Sequence, residues 1–218
     1  MENRNGFVDQ LVEVETEEVY TAMGEHMYPV LEIFSSIQGE GCFMGMPVTF
    51  VRLAECNLRC SWCDTKESWG IKKATWMSAD DIVAKIDKPI VVITGGEPCL
   101  RDLEPLIEVC HDKYILVNIE TNGTLPTPSN ADWVTCSPKP PEYTIHEKCM
   151  FNELKYIVDD EFNPDTDVPL DRPEIVQGMV WLHPESHKME SAAKAYEYCM
   201  KYKKFRLGVQ LHKVFDLK

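Results

Sequence analysis

The sequence predicts an α/β fold, an incomplete TIM-like βα barrel with reduced helix content. Three observations predict it. Apolar, β-rich runs recur from residue 30 to near the C-terminus, helical patterns separate several of them, and those patterns thin out between 120 and 175. Near-continuous apolar runs suit strands covered on both faces, as in parallel sheets. Strands alternating with helices imply βα units. Eight complete units would need more helices than this chain provides.

Residues 1–28 are acidic and loosely patterned, with Leu11, Val12, Val14 and Val19 as their main apolar positions. They are expected to form an N-terminal extension, with one domain spanning 29–218. Strands are expected at 30–34, 48–54, 90–94, 114–119, 133–136, 153–158, 175–182 and 205–211. Ser78 followed by Asp81 resembles a capping box opening a helix through Ile86. Asp102 can cap a helix reaching about His111, with Pro105 tolerated in its first turn. Met189, Ala192, Ala193, Tyr196, Cys199 and Met200 form one helical face. Residues 138–150 and 159–174 are Pro-rich or acidic and read as loops.

A chain of 218 residues can bury a real core. It has no run of 18 apolar residues, so no membrane-spanning helix is expected. The N-terminus lacks the apolar stretch of a secretory signal, which makes the cytoplasm the expected location. The net charge of −14 argues against a nucleic-acid partner, because backbone phosphates need a basic face. Nine cysteines are an odd number and a poor disulfide framework.

Polar motifs follow the ends of five expected strands. They are the cysteine loop after 48–54, Gly95-Gly96-Glu97-Pro98 after 90–94, Glu120-Thr121-Asn122-Gly123 after 114–119, Ser137-Pro138-Lys139 after 133–136, and His183-Pro184-Glu185-Ser186 after 175–182. In βα barrels the C-terminal strand ends form the active-site mouth, so these motifs should converge.

Cys56, Cys60 and Cys63 are spaced C-x3-C-x2-C. Three thiolates on one short loop can ligate three irons of a [4Fe–4S] cluster. Iron–sulfur proteins usually supply four cysteines, so a missing fourth leaves one iron open to an outside ligand. A zinc knuckle is the rival reading, but structural zinc wants four closed ligands, commonly in two C-x2-C pairs. Cys42, Cys99 and His111 do not complete such a pair. The glycines of Gly95-Gly96-Glu97-Pro98 would let backbone approach a ligand, and Glu97 could accept hydrogen bonds from an ammonium group.

With Trp62 before the third cysteine, the loop resembles that of radical S-adenosylmethionine (SAM) enzymes. From residue 30 onward the chain is similar to the 7-carboxy-7-deazaguanine synthase family. The resemblance is carried by Glu32-Ile33-Phe34, Gln38-Gly39-Glu40-Gly41, Phe50-Val51-Arg52, Cys63-Asp64-Thr65, Thr94 through Pro98, Glu120 through Thr124, Ser137-Pro138-Lys139, Asn152-Glu153-Leu154-Lys155 and Gln210-Leu211-His212-Lys213. Gln-Gly-Glu-Gly together with Cys-Asp-Thr is the most specific part.

The resemblance implies a partial barrel of the radical SAM type and a lyase that contracts 6-carboxy-5,6,7,8-tetrahydropterin to 7-carboxy-7-deazaguanine and ammonia. A 5′-deoxyadenosyl radical would take hydrogen from C6 and return it, regenerating SAM. Cys56, Cys60 and Cys63 would hold the cluster and Thr65 would ligate Mg²⁺. Trp62, Gly95, Gly96, Glu97, Ser137, Pro138, Lys139 and His183 match the SAM-binding part, although the family often has Gln where His183 stands. Ile37, Gln38, Gly39, Glu40, Arg52, Thr94 and His212 would bind substrate, with Arg52 pairing its carboxylate. A homodimer, an electron donor such as flavodoxin, and queuosine or another 7-deazapurine pathway are further implications. A glycyl-radical activase would share the cysteine loop and a similar Gly-Gly-Glu-Pro, but not the Gln-Gly-Glu-Gly and Cys-Asp-Thr pairing. A zinc-stabilised interaction module is the non-catalytic alternative.

Overall fold

The computed structural model describes residues 26–61, 63–169, 179–185 and 188–218. Among the described residues nine strands form one sheet: β1 (Met27–Ile37), β2 (Pro47–Leu53), β3 (Thr75–Ser78), β4 (Ile90–Gly95), β5 (Leu116–Thr121), β6 (Trp133–Cys136), β7 (Glu153–Val158), β8 (Met179–Pro184) and β9 (Phe205–Leu207). Their order is β3-β1-β2-β4-β5-β6-β7-β8-β9. The pairs of β1 with β2 and β3 are antiparallel. Every pair from β2–β4 through β8–β9 is parallel. Among the described residues β9 does not return to β3, so the barrel is open.

Helices α1 (Ala79–Val83), α2 (Glu104–Asp112), α3 (Pro164–Asp167), α4 (Met189–Lys201) and α5 (Leu211–Val214) complete the order. Only the four-residue α3 falls among the described residues between 121 and 175. The helix-poor stretch is therefore real there.

Period-2 alternation explains which side chains the sheet delivers to its two faces. Val51, Leu53, Val91, Ile93, Val117 and Ile119 pack with Ile82 of α1 and with Leu106, Ile107 and Cys110 of α2. Leu154, Tyr156, Val158, Val180 and Leu182 pack with Ala195 of α4 and with Phe162. The residues between them point to the inner face. Deep in that face Val48, Ile90 and Val92 form a small apolar cluster, covered by Phe43, Phe50 and Leu116. Toward the C-terminal strand ends the same face carries Arg52, Thr94, Glu120 and Lys155, with Ser137 just past the end of β6.

Several boundaries differ from expectation. β1 begins at Met27, and Tyr28 is fully buried with its hydroxyl donating to the Asp102 carbonyl at 3.0 Å. The sheet thus takes in two residues assigned to the extension; residues 1–25 lie outside the described residues. β3 was unexpected because one exposed and three half-buried residues carry little apolar pattern, and pairing with β1 decides their state. Glu120-Thr121 and His183-Pro184 are the last residues of β5 and β8 rather than post-strand loops. Residues 175–178 of the expected seventh strand lie outside the described residues. The last expected strand stops at Leu207, and Leu211 already opens α5.

The helix starts are nearly as expected, although α1 ends at Val83 rather than Ile86. Ser78 caps α1 by accepting from the Asp81 N–H. Asp102 sits one residue before the cap position of α2, and its carboxylate accepts from the Glu104 N–H at 3.1 Å. The buried face of α4 differs from the apolar face read in the sequence. Met189, Tyr196 and Met200 are exposed, while Ser191 and Ala195 are buried. Small residues let the helix approach β7 and β8 closely. Ser191 Oγ donates to the Val158 carbonyl and accepts from the Glu185 N–H. A hydropathy pattern ranks such a serine as polar and so selects the wrong face.

Candidate active site

A cavity of about 300 Å³ opens at the C-terminal ends of the parallel strands, within the range of small-ligand sites. Cys56, Cys60 and Cys63 all line it. Their loop leaves β2 and is fastened at several points. Gly96 N–H donates to the Leu53 carbonyl at 3.0 Å, and Glu97 N–H to the Glu55 carbonyl at 2.7 Å. Glu55 also forms a buried ion pair with Arg101, whose guanidinium lies over Trp76. Arg59 donates to the carbonyls of Cys56, Leu58 and Trp69. Asn57 binds Thr124 Oγ1 at 2.8 Å and accepts from Asn122 Nδ2 at 2.9 Å.

The glycines therefore serve a purpose the sequence reading did not assign. A side chain at Gly95 or Gly96 would run into the backbone of Leu53 or Glu55, and Gly95 has φ +133°. They let the cysteine loop lie against the end of β4. Both glycines also line the cavity.

The donor set fits a polynuclear cluster. The three cysteines are free and partly exposed. Burial pushes the Cys56 thiol up to about 11 and raises that of Cys60, so each needs a bound cation to hold it as thiolate. Among the described residues no three Cys, His, Asp or Glu side chains are gathered to hold a single metal ion.

Glu97 is buried and is not among the lining residues. Its carboxylate accepts from Cys99 N–H at 3.0 Å, Thr121 Oγ1 at 2.7 Å and Asn122 N–H at 2.6 Å. Burial, the largest influence, raises its pKa against those three donors. It locks the end of β5 onto the turn after β4. Ser137 and Lys139 do line the cavity, joined Nζ to Oγ at 2.6 Å. Burial and the neighbouring Lys155 lower the Lys139 pKa. Pro138 is buried beside them, outside the lining.

Ile37, Gln38, Glu40, Arg52, Thr94 and His212 line the same cavity. Gly39 does not: any side chain there would meet His212, and its carbonyl accepts from the Leu211 N–H at 3.0 Å. It lets the Gln38–Gly41 turn seat on α5. Arg52 Nε is paired with Glu32 at 2.9 Å, which orients the rest of its fork. Thr65 lines the cavity with its hydroxyl bonded to Asp64 Oδ1 at 3.0 Å, while its carbonyl accepts from Ser68 N–H and Oγ.

His183 stands apart from these lining residues. It is fully buried, neither ring nitrogen is hydrogen-bonded among the described residues, and it lies outside the lining. Its ring fills the space that a side chain at Gly208 would take. Burial holds its pKa down to about 4, so the ring is neutral at pH 7. Two residues on, Glu185 reaches the cavity instead. Trp62 lies outside the described residues.

Other lining residues had no assigned role: Phe34, Phe50, Glu120, Lys155, Ile157 and Gln210. Phe34 and Phe50 stack with centroids 5.2 Å apart. Lys155 Nζ bonds Glu40 Oε2 at 2.5 Å and Glu120 Oε2 at 3.0 Å. Extending the strand alternation would have found most of them: Phe50 precedes Arg52 by two, and Ile157 follows Lys155 by two.

Residues 52–134 match the radical SAM superfamily. A 7-carboxy-7-deazaguanine synthase from Aquifex aeolicus is 38% identical, the match covering 86% of this chain and 93% of that one. Those from Synechocystis and Escherichia coli K12 are 34% and 33% identical, covering 88% and 87% of this chain and 94% and 99% of theirs. The crystal structure of QueE from E. coli superposes with a TM-score of 0.71 at 29% identity, covering 89% of this chain and 99% of that one. With the cysteine loop, the open barrel and these relatives in agreement, the chain belongs to the 7-carboxy-7-deazaguanine synthase family of radical SAM enzymes.

Proposed function

We propose that this chain contracts 6-carboxy-5,6,7,8-tetrahydropterin to 7-carboxy-7-deazaguanine and ammonia, as a carbon–nitrogen lyase of 7-deazapurine (preQ0 and queuosine) biosynthesis. One observation carries the reading. The thiols of Cys56, Cys60 and Cys63 and the Glu40–Lys155–Glu120 group line one cavity. This supports a reading in which a radical generator and a site for a polar heterocycle share one cavity.

Cys56, Cys60 and Cys63 would hold the cluster. Together with SAM, it supplies a 5′-deoxyadenosyl radical when bound. The chain's own residues position and shield. Glu40 stays ionised: burial would raise its pKa, but the charge and hydrogen bond of Lys155, with the hydrogen bond from Gln210, outweigh burial and hold it well below the usual carboxylate range. It can accept N–H bonds from an amino-pyrimidine edge. The unpaired nitrogens of Arg52 suit a carboxylate on the ligand. Phe34 and Phe50 offer apolar surface to a flat ring. Thr65 Oγ1 would contribute one oxygen to Mg²⁺, which keeps waters and takes other ligands from the substrate.

The partners are a small pterin, an electron donor such as flavodoxin, and a second copy of the chain in a homodimer. A cytoplasmic location fits: among the described residues no helix is long and apolar enough to cross a membrane. The charge of −14 disfavours nucleic acid.

The test is anaerobic reconstitution with iron and sulfide, followed by turnover of the carboxy-tetrahydropterin with SAM, Mg²⁺ and a reductant. Brown protein with about four irons per chain and a deazaguanine product are expected. An intact cluster that cleaves SAM but yields no deazaguanine would defeat the assignment. Colourless protein holding one zinc would defeat the enzyme reading altogether.

A further inference from the structure

The Asn152–Lys155 motif belongs to the family resemblance, but no role has been attached to it. β7 turns Glu153 and Lys155, two residues apart, to the inner face of the sheet. Both reach the Gln38–Gly41 turn from below, and they do different things there.

Glu153 holds the backbone. It is 1% exposed. Its carboxylate accepts from the Cys42 N–H at 3.0 Å, Thr135 Oγ1 at 2.8 Å and Trp181 Nε1 at 2.6 Å. Gly41, at φ +67°, is where a side chain would collide with that carboxylate. The turn is thus pinned immediately after Glu40.

Lys155 holds the side chains. Its ammonium bridges Glu40 Oε2 and Glu120 Oε2. The other oxygen of each carboxylate is held by a glutamine amide: Gln210 Nε2 donates to Glu40 Oε1 at 2.5 Å, and Gln38 Nε2 to Glu120 Oε1 at 3.0 Å. Gln38 Oε1 in turn accepts from the Glu40 N–H at 3.2 Å. Every carboxylate oxygen has one donor, and each oxygen carries a second lone pair. The group of two carboxylates and one ammonium carries a net charge of −1, and all three side chains line the cavity. It is a preset array of acceptors matched to a ring edge rich in N–H donors.

We propose that Glu153 and Lys155 are positioning residues that set Glu40 and Glu120 as paired acceptors for the N–H edge of a 2-aminopyrimidinone ring. Lys155 acts through the carboxylates rather than by touching the ligand's own carboxylate. The inference rests on the pterin reading above and adds which residues confer ring selectivity.

The test uses cluster-loaded protein with SAM bound, and two probes: 6-carboxy-5,6,7,8-tetrahydropterin and 5,6,7,8-tetrahydropterin, which lacks the carboxylate. Lys155→Met should raise the KM for the carboxy-pterin about tenfold or more, with SAM binding unchanged. It should weaken binding of both pterins by the same factor. Lys155→Arg should recover part of the loss, because it restores the charge but not the bridging geometry. Glu153→Gln, which replaces an acceptor with a donor beside Cys42 N–H or Trp181 Nε1, should also raise KM more than it lowers kcat. If Lys155→Met weakened only the carboxylated pterin, Lys155 would be a direct carboxylate ligand and the proposal would fall. An unchanged pterin KM would also overturn it. Should Lys155→Met not bind SAM and so be misfolded, Gln210→Ala serves instead: a raised pterin KM supports the array and an unchanged one overturns it. Failure of the parent protein to bind either pterin would count against the substrate reading, which separates the two ideas.

Discussion

Asn57 and Asn122 are joined side chain to side chain, Asn122 Nδ2 donating to Asn57 Oδ1 at 2.9 Å. Asn57 lies inside the cysteine loop and Asn122 directly follows β5. The bond crosses from the loop that holds the thiols to the strand end that holds Glu120. Asn57 Nδ2 adds a second tie, to Thr124 Oγ1. The cysteine loop and the strand end that carries Glu120 are therefore mechanically linked.

Asn57→Ala removes both ties and leaves partners in a half-buried site without donor or acceptor. A loss of about 1–3 kcal/mol in unfolding free energy is expected. Iron retention should suffer more than stability, because the loop that carries the ligands is released. The check is iron per chain after anaerobic desalting, alongside a denaturant titration. Full iron retention would mean that Arg59 and the Gly96 and Glu97 backbone bonds suffice to hold the loop.

Gly95→Ala tests the close approach at the end of β4. Its φ of +133° is open to glycine, and the added methyl would meet the Leu53 backbone. Backbone cannot yield as a flexible side chain can. The variant should lose about 3 kcal/mol or more, or fail to accumulate as folded protein. Thermal unfolding of the apo chain reads this without cofactor. A change in midpoint of only a degree or two would show that β2 and β4 can separate at little cost.

The layout of strands was legible because their inner and outer positions are both buried, and burial on both faces writes an apolar run into the sequence. The strand-end motifs were legible for the same reason: polar residues interrupt those runs where the cavity begins. What could not be read is what tertiary pairing decides. Thr75–Ser78 becomes a strand only because β1 offers an edge. The packing side of α4 is chosen by Ser191 and Ala195, whose merit is small size rather than hydropathy. His183 sits in a chemically suggestive segment, and strand alternation turns it to the inner face, but there its ring packs against Gly208 outside the cavity lining. Lys155 and Glu120 lay inside quoted motifs, but their joint role depends on β5 and β7 meeting around Glu40, which no local pattern records.

Thr65→Ala should separate magnesium from the rest of the site. Among the described residues the hydroxyl bonds only the neighbouring Asp64 side chain, while the Thr65 carbonyl supports the following turn. Stability should change by no more than about 0.5 kcal/mol. The Mg²⁺ concentration needed for half-maximal turnover should rise, with SAM cleavage less affected. Loss of the cluster on this substitution would assign Thr65 to loop assembly instead.

The Glu40–Lys155 pair gives a pH dependence whose sign can be worked out. The folded-state pKa of Glu40 lies below its ordinary 4.5. Its contribution is therefore complete above pH 4.5 and is lost as pH falls toward the folded pKa. The folded-state pKa of Lys155 lies above its ordinary 10.5: burial opposes this, but Glu120 and Glu40 outweigh it. That contribution is complete below pH 10.5 and is lost as pH rises beyond it. Between pH 4.5 and 10.5 the pair should contribute a flat plateau. In Lys155→Met the dominant remaining influence on Glu40 is burial, which favours its protonated form. The folded state would then bind the proton more tightly than the unfolded state, and stability should fall as pH rises from 4.5 toward neutrality. Urea unfolding of the apo protein at pH 4.5, 6 and 7.5, parent against variant, measures the difference. Parallel pH profiles would mean that another cation or water compensates the Glu40 charge when Lys155 is absent, and that the ion pair does not control it.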